Sequence, residues 1–380
     1  MPVRIIEALD DIPATAWNRV VGDSDPFVSH AFLAALEHHD CLQPFGWHPR
    51  HVTLWEDDGE LRGAVPFYLK ENSYGEFVFD WEWAEAYQRA GLRYYPKGVV
   101  GVPYTPASGP RLLLADPDDN RGADQLIAAV HDFAAEQGLS SVHWNFTRPA
   151  DSNRLDAADL LPRTGWQYHW QQRGEHDFDG LLNTFTRDKR KKIRQERRRA
   201  AASGLQFEIR HGNEAGPADW EAFHDLYLGL FDRKWGMPTL SRGFFEEIGR
   251  TLGQRVVLQL ARDPAANGTV IAAALFLRSD TTLYGRHWGC RHHVAGLHFE
   301  LCYYRGLEYC FDHGLTRFEP GAQGEYKIAR GFLPSITRSA HWIADPRFRT
   351  VLGEHLARET RAVHRQIAEL ATHSPYRTPV

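Results

Sequence analysis

The stretch from 314 to 343 carries the residues of this sequence that are best suited to chemistry. It is GLTRFEPGAQGEYKIARGFLPSITRSAHWI, with Glu319, Glu325, Lys327 and Arg330 on backbone interrupted by glycine and proline. A carboxylate can accept a proton from a nucleophile, and an ammonium group can stabilise negative charge that develops on an oxygen. We therefore predict a functional site here. The alternative is a solvated loop whose charges face water.

Two strands are predicted to flank these charged residues. Thr316–Glu319 is the first, and it ends at Pro320-Gly321 because proline cannot continue a ladder of hydrogen bonds. The second is the alternating run SITRSAHWI, whose β-branched and aromatic residues suit a half-buried strand. The strand ends are therefore expected to bring the charged side chains together.

Further candidates for proton transfer precede this stretch. His287 is an imidazole, and Glu300 follows Gly296 at a predicted helix start, where the helix dipole favours a carboxylate. Together with Glu319 and Glu325 they are rival candidates for the base, and the residues do not rank them. We expect His287, Glu300, Glu319 and the lysine at 327 to line one cleft.

Potential metal ligands are concentrated between residues 287 and 298. They are His287, Cys290, His292, His293 and His298. Their spacing matches no known zinc pattern, so no metal is predicted. The sequence also contains no GxSxG, P-loop or HExxH motif.

Positive charge is concentrated between Thr186 and Arg199, in the run TRDKRKKIRQERRR. The run carries a formal charge of +7 in a chain whose net charge is −5. Its residues favour helix, and we predict one from about Thr186 to Ser203 that ends at Gly204. It is either a solvated linker helix or a platform for the phosphates of a nucleotide-linked substrate or RNA.

Composition is that of an ordinary soluble protein. The chain has 380 residues, 43% of them hydrophobic, which favours two or three domains. No apolar run approaches the length of a membrane span, and the N-terminal residues include acids where a signal peptide needs an apolar core. We therefore predict a cytoplasmic protein. The four cysteines form no CxxC pair and are predicted to be reduced.

The order of predicted elements suggests a duplicated α+β domain. The first copy has a hairpin that begins with the strand His51–Trp55 and a helix at Asp124–Gln137. The second has helices at Pro217–Lys234 and Arg242–Leu252, and a long helix follows Pro346. We predict an N-terminal domain over 1–178, a basic linker helix over 179–204 and a C-terminal domain over 205–380.

Several strings carry a resemblance to a known family. They are SYGEFVFDWEWAEAY, YYPKG, YTPASGPRLL, LYGRHWGC, GLHFELCYY, FEPGAQGEYKIARGF and SAHWI. The chain resembles the FemAB-like family of predicted N-acyltransferases, often labelled peptidoglycan biosynthesis/recognition proteins. The resemblance implies two tandem domains of the GNAT acyltransferase fold. It also implies kinship with ligases that move an aminoacyl group from charged tRNA to the amine of a cell-wall precursor.

The resemblance extends to individual residues. In those ligases a lysine just before a Gly-Phe pair helps form the active site, and Lys327 in YKIARGF matches it with a longer spacer. Through Lys189, Arg190, Lys192 and Arg194, the basic helix resembles the Lys/Arg-rich segment of those ligases that contacts the phosphates of the acceptor. We also expect Trp288, His298 and Arg330 to contact substrate.

The sequence departs from acetyl-CoA enzymes of this superfamily at one loop. Those enzymes hold the pyrophosphate with Q/R-x-x-G-x-G/A, whereas this chain has Val294 between Arg291 and Gly296 where a glycine is needed. Aminoacyl-tRNA is therefore favoured over acyl-CoA as the donor, with a nucleotide- or lipid-linked small molecule as acceptor. No cofactor is required. A non-catalytic module that binds cell-wall precursors or RNA is the remaining alternative.

Overall fold

The computed structural model describes residues 2–22, 25–231, 236–322 and 324–377. Its strands follow in chain order: β1 (Val3–Ile6), β2 (Trp47–Pro49), β3 (His51–Trp55), β4 (Leu61–Val65), β5 (Phe67–Lys70), β6 (Lys97–Val100), β7 (Leu113–Leu114), β8 (Ser141–Trp144), β9 (Leu161–Gln171), β10 (Gln206–His211), β11 (Val256–Asp263), β12 (Thr269–Arg278), β13 (Thr282–Cys290), β14 (Arg317–Glu319) and β15 (Leu333–Ile343). The two strands predicted to flank the charged stretch correspond to β14 and β15, so both are confirmed.

The helices are α1 (Ala14–Val21), α2 (His30–His38), α3 (Trp81–Arg89), α4 (Asn120–Glu136), α5 (Pro149–Ala157), α6 (Phe178–Thr184), α7 (Arg187–Ala201), α8 (Pro217–Phe231), α9 (Arg242–Leu252), α10 (Leu297–Phe299), α11 (Arg305–Asp312) and α12 (Pro346–Ala371). A π-helical turn, Glu300–Tyr304, lies between α10 and α11. The predicted basic helix is confirmed as α7, whereas the predicted end of α8 at Lys234 lies outside the described residues. Across the described ranges, every helix is too short or too polar to cross a membrane.

The chain divides into two compact units. The first contains Met1–Gly165 and Ile336–Arg365, and the second contains Trp166–Ser335 and Gln366–Val380. This division differs from the predicted domains because α7 belongs to the second unit rather than to a linker, and most of α12 belongs to the first. The reason is packing: Ile193 on the inner face of α7 is part of the second unit's core.

The first unit contains a small sheet with strand order β1-β3-β4-β7 and a second series of strands in the order β15-β8-β6-β5-β2. Strands β6 and β8 are parallel, and α4 packs its apolar face, with Leu126 and Val130, into the core beside them. The predicted hairpin that begins at His51 is confirmed by the antiparallel pairing of β3 with β4.

A buried polar network occupies the other face of the β6 and β8 strands. Lys97 donates a hydrogen bond to Glu76 at 3.0 Å and another to Asp80. Nδ1 of His143 lies 2.7 Å from Nδ1 of His341 across the β8–β15 pair. Burial raises the pKa of Glu76 to about 7. The network fastens the segment that precedes α3 onto the sheet.

The second unit has the strand order β10-β11-β12-β13-β14-β9. Neighbouring strands are antiparallel except for β13 and β14, which are parallel. The helical stretch from α10 to α11 crosses over to connect this parallel pair, as parallel strands require. It ends at Gly314, whose φ of +66° is the left-handed conformation that glycine commonly adopts at the end of a helix.

Strand β13 contains a bulge. His287 pairs with Leu275 of β12, but the next pair is Gly285 with Phe276, so Arg286 has no residue opposite it. A bulge inserts one residue on one strand only and re-aims the neighbouring side chains. Arg286 and His287 therefore leave the simple alternation of an ideal strand.

Close packing between α8 and β13 makes a first prediction. A Cβ added at Gly289 would lie 2.4 Å from the backbone oxygen of Leu226, which is closer than atoms approach. Gly289→Ala should therefore lower the free energy of unfolding by about 1–3 kcal/mol, because α8 must move away from the sheet. Denaturant unfolding followed by circular dichroism measures this change.

Gly216→Ala is the control for this substitution. The Cβ at Gly216 would meet only an oxygen of Asp219, at 3.9 Å. Its effect should stay within about 0.5 kcal/mol. Equal effects of the two variants would contradict the close-packing argument.

Candidate active site

The candidate site lies where the parallel strands β13 and β14 separate. Their last pair is Tyr284 opposite Glu319. Pro320 follows and has no N–H to extend the ladder of hydrogen bonds. Its backbone remains close to β13, because a Cβ added at Gly285 would lie 3.1 Å from the Cα of Pro320. Beyond this point lies a cavity of about 290 Å³.

The cavity wall comes from strands β12 and β13, the segment after β14, the π-helical turn and its preceding helix, and a 3₁₀ turn at Glu325–Arg330. Its lining comprises Ala274, Leu275, Phe276, Gly285, Arg286, His287, Trp288, His298, Cys302, Tyr303, Pro320, Gly321, Ala322, Tyr326 and Lys327. Of the residues predicted from sequence, the cavity brings together Lys327, His287, Trp288 and His298.

Lys327 is a buried cation of the cavity wall, with 2% of its surface exposed. Its ammonium group donates a hydrogen bond to the carbonyl oxygen of Gly321 at 2.7 Å. Gly321 has a φ of +94°, a conformation that glycine adopts without strain. Burial lowers the pKa of Lys327 to about 8. Most of the Lys327 population is therefore still charged at pH 7.

The bulge places two further basic side chains in the cavity wall. Burial lowers the pKa of Arg286 to about 10, so this guanidinium is charged at pH 7. Burial, and then the charge of Arg286, lower the pKa of His287 to about 3, which makes its imidazole neutral. The ring of His287 packs against Tyr227 at a centroid distance of 5.1 Å. Sequence reasoning missed Arg286, although Gly285 inside a strand pattern is a known signal for a bulge.

Two of the candidate acids are held in ion pairs. Glu319 lies 2.8 Å from Arg317, and Glu300 lies 3.1 Å from Arg197 and 3.2 Å from Arg305. These pairs direct Glu300 toward α7 and α11, whereas Glu319 ends the strand directly before the cavity. The identity of the base stays a prediction.

Glu325 takes a third position. It is exposed at the first residue of the 3₁₀ turn, two residues before Lys327.

An aromatic group forms one wall of the cavity. The ring of His298 lies 4.8 Å from that of Trp288 and 5.4 Å from that of Tyr303, between centroids. The hydroxyl of Tyr303 donates to the hydroxyl of Tyr326 at 3.3 Å. Tyr303 and Cys302 belong to the π-helical turn, a deformation frequently found at functional sites. Sequence reasoning missed the turn because its residues also fit a regular helix.

Arg330, predicted to contact substrate, has its donors directed to protein groups. Its guanidinium donates to Glu196 at 2.8 Å, to the hydroxyl of Tyr304 at 3.1 Å and to the carbonyl oxygen of Tyr326 at 2.6 Å. The residue is 4% exposed. Its observed place is therefore between α7 and the 3₁₀ turn, behind the cavity wall.

Helix α7 has two different faces. Its inner face buries Ile193, Glu196 and Ala200. Its exposed face carries the cations Arg187, Lys191, Lys192, Arg194, Arg198 and Arg199. Lys189 and Arg190, both predicted to contact phosphate, are half-buried. The exposed face provides a dense positive surface, and its role in binding phosphate stays a prediction.

The loop that would hold a coenzyme A pyrophosphate has a close neighbour. A Cβ at Gly296 would lie 2.7 Å from the backbone oxygen of Glu196, so α7 contacts the start of α10. Val294 packs against the core of the second unit. Arg291 donates to the carbonyl oxygen of Val270 at 2.9 Å. Within the described ranges, no three potential metal ligands are grouped here or elsewhere.

Comparison with known proteins identifies both a family model and structural neighbours. The model for the FemAB-like family, described as peptidoglycan biosynthesis/recognition, matches residues 8–378. No curated protein matches the sequence significantly.

Three solved structures share the fold. FemX is 13% identical, with 93% of this chain and 100% of FemX covered at a TM-score of 0.55. The C-terminal domain of a putative lysylphosphatidylglycerol synthetase from Agrobacterium fabrum is 11% identical. The match covers 89% of this chain and 93% of that domain, at a TM-score of 0.54. L-PGS from Bacillus licheniformis is 10% identical, and the match covers 90% of this chain and 96% of L-PGS at a TM-score of 0.54. The predicted α+β fold is confirmed, because each of these structures shares it over 89–93% of this chain.

The burial of Lys327 predicts a dependence of stability on pH. Its pKa of about 8 in the folded protein is lower than the 10.5 of an ordinary lysine, so the unfolded chain binds more protons between these values. Stability should therefore rise with pH through this window. Lys327→Met should remove a rise of about 2–3 kcal/mol between about pH 7 and 10.

Denaturant unfolding at a series of pH values tests this prediction. Lys191→Met is the control, because Lys191 is exposed on α7. The control should follow the wild-type curve. A Lys327→Met curve parallel to that of wild type would show that the folded protein does not depress the pKa of this lysine.

Proposed function

We propose that this chain, which belongs to the FemAB-like family of peptidoglycan biosynthesis/recognition proteins, is an amide-forming N-acyltransferase. It moves an aminoacyl group to the amine of a cell-wall precursor or a related small acceptor. The observation that carries the proposal is Lys327, a charged amine buried in a cavity at the fork of two parallel strands. The structural neighbours FemX and a putative lysylphosphatidylglycerol synthetase share only the fold with this chain at their low sequence identity. Their names are consistent with the proposed aminoacyl transfer.

Lys327 has the position and charge to stabilise the tetrahedral intermediate. In this reaction the amine nitrogen attacks the acyl carbon, the carbonyl oxygen gains negative charge, and the bond to the leaving oxygen then breaks. An ammonium group has three N–H donors, and the Gly321 carbonyl accepts from one of them. A preorganised donor that is shielded from water stabilises developing charge strongly, and Lys327 is 2% exposed.

The attacking amine must lose a proton, and the leaving oxygen must gain one. The positive charges of Lys327 and Arg286 disfavour a second ammonium ion in the cavity, so they lower the pKa of a bound acceptor amine. This supplies the neutral nucleophile. Glu319, Glu325, His287 and Glu300 remain our candidates for the base, and Glu319 lies directly at the fork.

A polyanionic donor fits the surface beside the cavity. The exposed face of α7 offers guanidinium and ammonium groups to phosphates, which favours aminoacyl-tRNA. The packing of α7 against Gly296 and of Val294 against the core of the second unit disfavours a pyrophosphate at the start of α10. Acyl-CoA is therefore our second candidate donor. Because charged tRNA and nucleotide-linked precursors are cytoplasmic, we propose a cytoplasmic site of action.

An amide-forming assay tests the function. The purified chain is given aminoacyl-tRNA or acetyl-CoA together with a nucleotide-linked muropeptide, and the product is followed by mass spectrometry. We expect turnover with the RNA donor, and a loss of about 10²-fold or more in kcat for Lys327→Met. Arg361→Met should retain activity, because Arg361 is exposed on α12 and lies outside both the cavity and α7.

Other outcomes of this assay select the alternatives. Saturable turnover at low micromolar acetyl-CoA, without turnover of the RNA donor, would replace the proposed donor. Tight binding of the muropeptide or RNA without any turnover would indicate the non-catalytic module.

Salt dependence tests the phosphate platform on α7. Lys192→Gln/Arg194→Gln removes two exposed cations, so tRNA binding should weaken and the slope of log affinity against log salt should decrease by about one unit per lost contact. Fluorescence anisotropy at several salt concentrations measures both quantities. Thermal stability should hardly change, because exposed charges contribute little.

Arg358→Gln/Arg361→Gln is the matching control, since both residues are exposed on α12 and the variant loses the same charge. It should keep the wild-type slope. If both double variants bind like wild type, the basic run is only a solvated surface.

A further inference from the structure

We propose that Glu196 is a positioning residue for Lys327, acting through the buried Glu196–Arg330 ion pair. This pair joins α7, the helix with the exposed cations, to the turn that carries Lys327. The inference rests on the proposed function, because it gives the buried acid of α7 a task in the same reaction. It extends that function by linking the phosphate-binding surface physically to the site of bond formation.

Glu196 is set apart from the rest of the basic run. It lies on the inner face of α7, three residues after Ile193 and four before Ala200, which are spacings that share one face of a helix. Both of its carboxylate oxygens accept from Arg330, at 2.8 and 2.9 Å. The hydroxyl of Tyr304 donates to the same carboxylate. The acid is therefore directed into the second unit, toward the cavity wall.

Arg330 transmits this anchor to the turn. It ends the Glu325–Arg330 turn, three residues after Lys327, and donates back to the carbonyl oxygen of Tyr326 at 2.6 Å. Its guanidinium also lies over the ring of Phe299, 3.4 Å from the centroid. A planar fork with several fixed partners leaves little freedom of orientation. The turn therefore cannot rotate without breaking the pair.

The other contacts of the turn restrain it differently. Ile328 is buried in the core, which sets the depth of the turn but is not directional. Lys327 itself is held by the hydrogen bond to Gly321, and the residue before it in the chain, Tyr326, is 45% exposed. The Arg330 pair thus supplies the directional restraint between the turn and α7.

A role in stability alone does not explain this pair well. Buried ion pairs add little net stability, because removing two charges from water offsets most of their attraction. Their geometry is nevertheless demanding. We therefore infer that the ion pair fixes the orientation of the turn, and that Lys327 is the residue of the turn whose position matters.

The inference predicts a change in the protonation of Lys327. When Glu196→Gln weakens the pair, the turn loosens and water reaches the ammonium group. Less desolvation moves the pKa of Lys327 upward from about 8, toward that of an exposed lysine. The midpoint of Lys327 reactivity against pH should rise on the order of one pH unit.

Chemical labelling measures this without any substrate. The folded protein is treated with limiting acetic anhydride at a series of pH values, and acetylation of Lys327 is quantified by peptide mass spectrometry. Glu308→Gln is the control: Glu308 also pairs with α7, through Arg197 at 2.6 Å, but lies on α11 rather than on the turn. We expect its midpoint to equal that of wild type.

Arg330→Lys serves as a second variant. It keeps the charge but loses the fork, so it should produce an intermediate shift even if Glu196→Gln does not fold. In the transfer assay Glu196→Gln should lower kcat and leave the KM for the donor within about twofold, whereas the Lys192/Arg194 variant raises KM.

Two results would overturn the inference. One is an unchanged Lys327 midpoint in folded Glu196→Gln or Arg330→Lys. The other is an equal shift in Glu308→Gln, which would indicate general loosening. Because labelling needs no donor or acceptor, a positive shift stands even if the proposed transfer is not found. Turnover with unchanged labelling would leave the proposed function intact and remove only the role of Glu196.

Discussion

The separation of β13 from β14 after the Tyr284–Glu319 pair is the constraint on which the candidate site depends. Two parallel strands that stop pairing expose backbone groups and leave space between them, and proline at 320 ensures that pairing cannot resume. The bulge at Arg286 adds a second departure from regular pairing on the opposite edge of β13. Together they open the sheet at one place and aim basic side chains into the opening.

Desolvation then determines the chemistry of that opening. The same physical effect lowers the pKa of Lys327, Arg286 and His287, but it has different consequences because their ordinary values differ. The lysine and arginine keep their charge near neutral pH, while the imidazole loses it. Two of the acidic candidates, Glu300 and Glu319, form ion pairs with arginines. The cavity is therefore suited to stabilising negative charge on a substrate oxygen.

Helix α7 has an exposed cationic face and an inner face that packs against the second unit. Its outer cations are screened by solvent and salt, so they contribute more to attracting a polyanion than to folding. Its inner face uses one acid, Glu196, and two apolar residues to attach the helix to the second unit. This division explains why a run with nine basic residues can form part of a domain and need not be a linker. The shared fold with FemX at 13% identity shows that the framework tolerates extensive sequence change.

The sequence by itself determined the α+β fold, most helices and strands near the site, and the candidate roles of Lys327 and the basic helix, because periodicity, turn residues and motif strings are local signals. Only the tertiary structure decided that Arg286 enters the cavity, since a bulge is defined by its partner strand. It also decided that Arg330 binds Glu196, 134 residues away in sequence. Whether a charged side chain is exposed to water or forms an ion pair depends on contacts between segments that are distant in sequence. Local sequence patterns do not encode those contacts.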